Sequence, residues 1–179
     1  MESQELTHIT ALSTQSDSAV EALLDAAFGP DRIKRTAYKI RTGMMPIGAL
    51  SFAALDGQHN FIGLLQSWPV ALVDSAGREH PLIMVGPVAV LPAVQQGGVG
   101  KKLMQKLMDE ARAHKCEPLM MIGDPEYYDR FFGFSAAATF GWECPGPVER
   151  HRLLAQSVDG RALPGPGKLG PRSALIQVA

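Results

Sequence analysis

Residues 91–107, LPAVQQGGVGKKLMQKL, hold the side chains and spacing best suited to chemistry in this chain. Glycines ahead of a helix can bring main-chain amides against a phosphate. A phosphate loop requires Gly-x-x-x-x-Gly-Lys-Ser/Thr. Counting back from Gly100-Lys101 puts Gln95 where the first glycine belongs and Lys102 where the metal-binding hydroxyl belongs. A dinucleotide fingerprint can start at Gly98 and Gly100, but it then meets Leu103 in place of its last glycine. Both nucleotide motifs fail by count.

The local physics still asks for an anion. The first four amides of a helix have no partner within it. Ser, Thr, Asp or Asn usually caps one of them, and none occurs between Leu91 and Leu107. Lys101 and Lys102 stand in the first turn, where the helix dipole disfavours each cation by about 0.3–1 kcal/mol. A bound polyphosphate reverses that sign. The alternative is a glycine-rich entry with solvated lysines, and these features alone leave the two readings balanced.

The surrounding pattern shows what positions this segment. Residues 9–14 read as a strand, and Ser18 with Glu21 reads as a capping box ahead of a helix ended by Gly29-Pro30. Asp31 is placed to cap a second helix, running to about Arg41, with Arg32, Lys34, Arg35, Lys39 and Arg41 as a solvated basic face. Residues 49–55, 61–73 and 81–91 alternate with short turns, which predicts antiparallel strands whose pairing fails near Pro92. A helix follows over about residues 98–115, with Val99, Leu103, Leu107 and Ala111 as its apolar stripe, widened by Met104 and Met108. Residues 118–124 form the next strand, so strand, helix and strand make a right-handed βαβ unit. Pro125 opens a helix over PEYYDRFF. The tail from about residue 145 is rich in proline and glycine, with RHRLLAQSV and SALIQVA as candidate closing strands.

At 179 residues the chain is long enough for one domain with a real core. A formal net charge of −1 argues against nucleic acid or an acidic membrane surface as a partner. No apolar stretch approaches the roughly 18 residues of a membrane helix, and the polar, acidic N-terminus lacks a signal-peptide pattern. Cys116 and Cys144 lie far apart in no metal or redox spacing. Inert thiols in a reducing cytoplasm, and no metal site, are the expectation.

The segment VAVLPAVQQGGVGKKLM resembles the central motif of the GCN5-related N-acetyltransferases, with Gln95, Gly98 and Gly100 in its defining positions. MMIGDPEYYDRFFGF is similar to the GDPxYYxRFGF segment of a bacterial subgroup of predicted acetyltransferases, and the likeness covers most of residues 9–142. The resemblance implies a mixed α/β fold: a mostly antiparallel sheet, one parallel βαβ unit and flanking helices. It implies acetyl-CoA as cofactor and CoA as product. The amides around Gln96, Gly97, Gly98, Val99, Gly100 and Lys101 would hold the pyrophosphate. The main chain of Val88, Ala89 and Val90 would pair with the pantetheine arm where two parallel strands splay, and an amide near Val90 would polarise the thioester carbonyl.

The implied reaction is direct attack of a primary amine on the thioester. An alkylammonium of pKa about 10.4 must first lose a proton, at roughly 4–5 kcal/mol at pH 7. Glu79, His80, Asp56 and His59 all fall in predicted turns, so the base stays open between them and water. The resemblance places a tyrosine as the acid for the thiolate. Tyr127 and Tyr128 both qualify, and four residues rather than the usual three separate Tyr128 from Gly133-Phe134. Tyr128 is the choice, against an aromatic core helix packing at i, i+4. A CoA-binding sensor or partner module without turnover is the rival reading. The acceptor, a small-molecule or peptide amine, is unnamed by the sequence, and a homodimer is left open.

Overall fold

The computed structural model describes residues 6–173. Its elements are β1 (His8–Ala11), α1 (Asp17–Phe28), α2 (Thr36–Ile40), β2 (Phe52–Leu55), β3 (Phe61–Val73), β4 (Glu79–Val90), α3 (Val99–Ala113), β5 (Leu119–Ile122), α4 (Pro125–Phe132), β6 (Trp142–Glu143), β7 (Leu153–Gln156) and β8 (Gly167–Pro171). The sheet runs β1-β2-β3-β4-β5-β7, antiparallel except where β4 meets β5. Strand β3 is long enough to take β2 along its first half and β8 along its second. β8 also carries the two-residue β6 in parallel.

Both sheet faces are covered, so the strands read as nearly continuous apolar runs, and neighbouring residues go to opposite sides. Leu65, Ile83 and Val85 pack with α3, whereas Leu64 packs with α1, and Leu82 and Met84 pack with Ile40 and the C-terminal strands. All six stripe residues of α3, from Val99 to Ala111, are buried. Each fully buried Leu or Met there contributes about 1.5–3 kcal/mol, which anchors the helix whose N-terminus faces the groove.

The parallel pair is short, and its shortness makes the site. Only Ile83↔Leu119 and Met84↔Met120 are in register between β4 and β5. Beyond them β4 continues to Val90 paired only with β3, and β5 continues to Ile122 paired only with β7. Two unpaired edges therefore diverge, as the family resemblance implied.

Several local expectations are corrected. The first strand ends at Ala11, because residues 12–14 form a 3-10 turn tied by the Leu12 amide to the Ser51 carbonyl at 3.0 Å. The N-cap of α1 is Ser16, whose Oγ accepts from the Ala19 amide at 3.2 Å. Ser18 lies inside that helix, and Glu21 reaches Arg32 instead of closing a capping box. The second helix is broken, with a 3-10 segment at Pro30–Lys34, an extended Arg35 and then α2. Its basic run is a solvated face only in part: Lys34, Arg35 and Lys39 are exposed, whereas Arg32 and Arg41 are only 5% and 6% exposed. β2 starts at Phe52 after a 3-10 turn at Gly48–Leu50. RHRLLAQSV contains β7, but SALIQVA lies outside the described residues except for Ser173, and the last described strand is β8 within the Pro/Gly-rich tail.

Candidate active site

Two cavities open along the divergent edges. The smaller, a groove of about 440 Å³, is lined by Val88, Val90, Gln95, Gly98, Gly100 and Lys101 together with Ala27, Phe28, Tyr127 and Tyr128. The larger, a chamber of about 1040 Å³, lies between the ends of β4 and β5 and the α1–α2 segment. Phe28, Val88 and Tyr128 line both, so the two spaces meet there.

The groove's floor is the N-terminus of α3. A 3-10 segment, Pro92–Gly97, delivers the chain to Gly98, the N-cap, which sits in the left-handed region at φ 74° and ψ 15° with no side-chain cap. That conformation and the missing cap leave first-turn amides bare toward the groove. A Cβ on Gly98 would enter open space, with nothing within 4 Å. Lys101 folds back so that its Nζ lies 4.3 Å from the Phe131 ring centroid, which holds the cation beside the groove. Gln95 reaches the Val90 carbonyl from Nε2 at 3.4 Å.

The groove's wall is the free edge of β4. The Leu91 amide donates to the Ile62 carbonyl, so Leu91 and, two residues back, Ala89 turn their main-chain groups to β3. Val88 and Val90, out of phase with them, turn theirs into the gap. Ala89 is buried against α1 and lines neither cavity. Val99 is likewise buried in the core, and neither it nor Gly97 lines either space. Gln96 belongs to the 3-10 segment.

α4 positions the tyrosines. Asp124 caps it, its Oδ1 accepting from the Glu126 amide at 3.0 Å, and Gly133 ends it in the left-handed region at φ 79°. The two rings meet edge to face at 4.9 Å, and Tyr127 packs on Phe131 and Phe132 at 5.3 and 5.9 Å. Burial raises the Tyr128 phenol to about 12, helped by Tyr127 and Asp124 and opposed by Arg152. Tyr128 thus stays a hydrogen-bond donor at neutral pH. Gly123, the residue before the cap, has no room for a side chain: a Cβ would lie 2.7 Å from Cδ2 of the Tyr128 ring. The α4 aromatic cluster expected from i, i+4 spacing thus forms around Tyr127, and Tyr128 turns instead to the junction of the cavities.

The residues considered as bases are elsewhere, and two of them, Glu79 and His80, belong to β4, paired with Val73 and Leu72, not to a turn. Asp56 accepts hydrogen bonds from Gln58 and Asn60, His80 pairs with Asp74 at 2.8 Å, and Glu79 accepts from the Ser173 amide. None of these, nor His59, lines either cavity. Two carboxylates do line the chamber, Asp124 and Glu149, and sequence reading passed over both. The GDP triplet could have flagged Asp124 as a cap; nothing local marks Glu149. The thiols of Cys116 and Cys144 are both raised by burial, the latter to about 11, and so are poor nucleophiles.

This geometry has relatives. The family model described as Acetyltransferase (GNAT) family matches residues 18–134. The uncharacterized N-acetyltransferase YhbS of Escherichia coli K12 is 26% identical over 147 residues, covering 79% of this chain and 84% of that one. The crystal structure of E. coli YhbS in complex with CoA superposes with a TM-score of 0.70 at 22% identity, covering 98% of this chain and 93% of the other. A GNAT family acetyltransferase from Brucella melitensis in complex with acetyl-CoA superposes with a TM-score of 0.65 at 24% identity, covering 96% and 99%. The fold is thus that of these acetyltransferases, and with the family model spanning residues 18–134, the chain belongs to the GNAT acetyltransferase family.

Proposed function

We propose that the protein is an N-acetyltransferase that moves the acetyl group of acetyl-CoA to a primary amine. The observation that carries this reading is the meeting of an amide-floored groove and a polar chamber at Tyr128. The residues present fit the cofactor: bare α3 amides and Lys101 suit a pyrophosphate, and an unpaired strand edge suits an amide-bearing arm. Bound acetyl-CoA supplies a thioester whose carbonyl carbon gains a C–N bond to the amine and loses its C–S bond, so nitrogen sheds a proton and sulfur takes one.

The chain's own residues divide the remaining work. The amides of Gly98, Val99, Gly100 and Lys101, with Gln95 and Gln96 before them, bind the phosphates. Main-chain groups of Val88 and Val90 orient the pantetheine arm and, near Val90, donate toward the carbonyl oxygen. Ala27 and Phe28 cover the groove and restrict water. Tyr128 Oη donates its hydrogen bond to the departing sulfur. The amine enters through the chamber, and its proton leaves toward Asp124 and Glu149.

Amine-dependent thiol release from acetyl-CoA, followed across a panel of amines, peptides and amino-sugars, tests the activity. Thiol appearing in step with an N-acetylated product is the expected result. Tight CoA binding with no thiol release from any amine would favour a non-catalytic CoA-binding module.

A further inference from the structure

Five basic side chains, Arg32, Lys34, Arg35, Arg41 and Arg152, line the chamber against two carboxylates, in a chain of formal net charge −1. Most of these cations are already engaged. Arg32 is held by Glu21 and Asp25, Lys34 lies 3.6 Å from Asp31, and Arg35 sits 5.2 Å over the Phe28 ring. Arg152 donates weakly to the Gly123 carbonyl at 3.4 Å.

Arg41 differs from all of them. It is 6% exposed, and its guanidinium lies between two rings, 4.0 Å from the Tyr38 centroid and 3.8 Å from that of Trp68. Its Nη1 is buried with no hydrogen-bond partner among the described residues. Buried donors in folded proteins are almost always paired, so a charged one left unpaired calls for an acceptor from outside the chain, whether water, ion or ligand. Burial brings the guanidinium down to about 10, so it remains a cation at neutral pH. The two rings fix the plane of its fork, which matches a carboxylate or phosphate. Trp68 is itself fixed, its Nε1 donating to the Gly86 carbonyl at 2.7 Å. Gly86 lies in the chamber wall on β4, two residues before Val88, so the fork is registered to the same strand as the groove.

We propose that Arg41 is the anion anchor of the acceptor chamber, and that the amine acetylated here carries an oxyanion, carboxylate or phosphate, elsewhere on the same small molecule. The inference rests on the acetyltransferase reading of this chamber. It makes the acceptor bipolar, with its amine toward Asp124 beside Tyr128 and its oxyanion on Arg41. A purely cationic amine would leave Nη1 of Arg41 without an acceptor and face the other basic side chains.

The test uses the full chain saturated with CoA, which cannot react. Calorimetric titration with 3-aminopropanoate, 2-aminoethyl phosphate and propylamine compares amines that differ in their anion. At least one anionic amine should bind about 10-fold or more tightly than propylamine, and which one does so distinguishes carboxylate from phosphate. Arg41→Met should remove the preference, and Arg41→Lys should restore only part of it, since an ammonium lacks the fork. CoA affinity, which does not involve Arg41, checks that each variant is folded, and the wild-type comparison stands without them. Equal binding of propylamine, binding of none of the three, or a preference surviving in Arg41→Met overturns the anchor. Wild-type protein that fails to bind CoA would instead overturn the acetyltransferase reading beneath it.

Discussion

At the scale of single residues, two positions make the sharpest predictions. Gly98 sits at φ 74° with open space where a side chain would go. Gly98→Glu should therefore weaken acetyl-CoA binding by at least about 100-fold, because its carboxylate meets the phosphates. The left-handed backbone adds a stability loss of about 1–2 kcal/mol, visible in a thermal melt. Tyr128→Phe should leave cofactor affinity unchanged and slow acyl transfer by about 10²-fold or more, as loss of a general acid does; unchanged turnover would remove it from the mechanism. The same residue has a pH signature. Unfolded, its phenol ionises near 10; folded, it holds its proton to about 12. Between those values the unfolded state binds fewer protons, so stability falls as pH rises through that window. Wild-type protein should lose up to about 3 kcal/mol more than Tyr128→Phe between pH 10 and 12, with little difference below pH 9. Asp124→Asn separates two roles, since Asn caps a helix as well as Asp. The melting temperature should hold while turnover drops about 10-fold or more if the carboxylate takes part in proton removal. Gly98 was legible because a missing cap can be counted along a chain. Tyr128 could be chosen over Tyr127 from the chain but not on local grounds, because neighbouring residues about 100° apart differ only in what lies opposite them.

At the scale of elements, the site depends on how closely α4 follows β5. Gly123 leaves a Cβ no space against the Tyr128 ring, at 2.7 Å. Gly123→Ala should push that ring from the cavity junction, destabilise the protein by about 1–3 kcal/mol and reduce turnover. In a Tyr128→Ala background the stability penalty should largely disappear, a coupling that a double-mutant cycle measures directly. The elements themselves were partly legible. β3 and α3 were bounded within a residue or two from apolar pattern alone, because each buries what its own period dictates. The broken stretch from Pro30 to Ile40 was not. Arg32 turns inward to Glu21 and Asp25 on α1, and Arg41 turns inward between Tyr38 and Trp68 on β3. Burial pulls the Arg32 guanidinium down, but its hydrogen bonds to Glu21, Tyr38 and Asp25 outweigh that and leave it raised. Apart from Tyr38, three residues before Arg41, those partners lie on α1 and β3, and a basic run read alone looks like a solvated face. β8 escaped for a related reason: five residues of proline, glycine, lysine and leucine become a strand only because β3 overhangs β2 and offers them an edge.

At the scale of the whole molecule, charge is distributed rather than absent. The net of −1 hides a chamber wall in which basic side chains outnumber carboxylates five to two. No helix among the described residues is long and apolar enough to cross a membrane. What joins the two cavities is one architectural decision, the divergence of β4 from β5 after two residue pairs. That gap places the strand edge and the helix N-terminus on one side and the chamber on the other, with Tyr128 between. The central claim is that this gap holds acetyl-CoA, and isothermal titration of the intact protein with acetyl-CoA, CoA and ATP tests it most directly. One-to-one binding of acetyl-CoA and CoA, with ATP at least about 10-fold weaker, is the predicted result. No acetyl-CoA binding, or ATP binding as tightly, would contradict it.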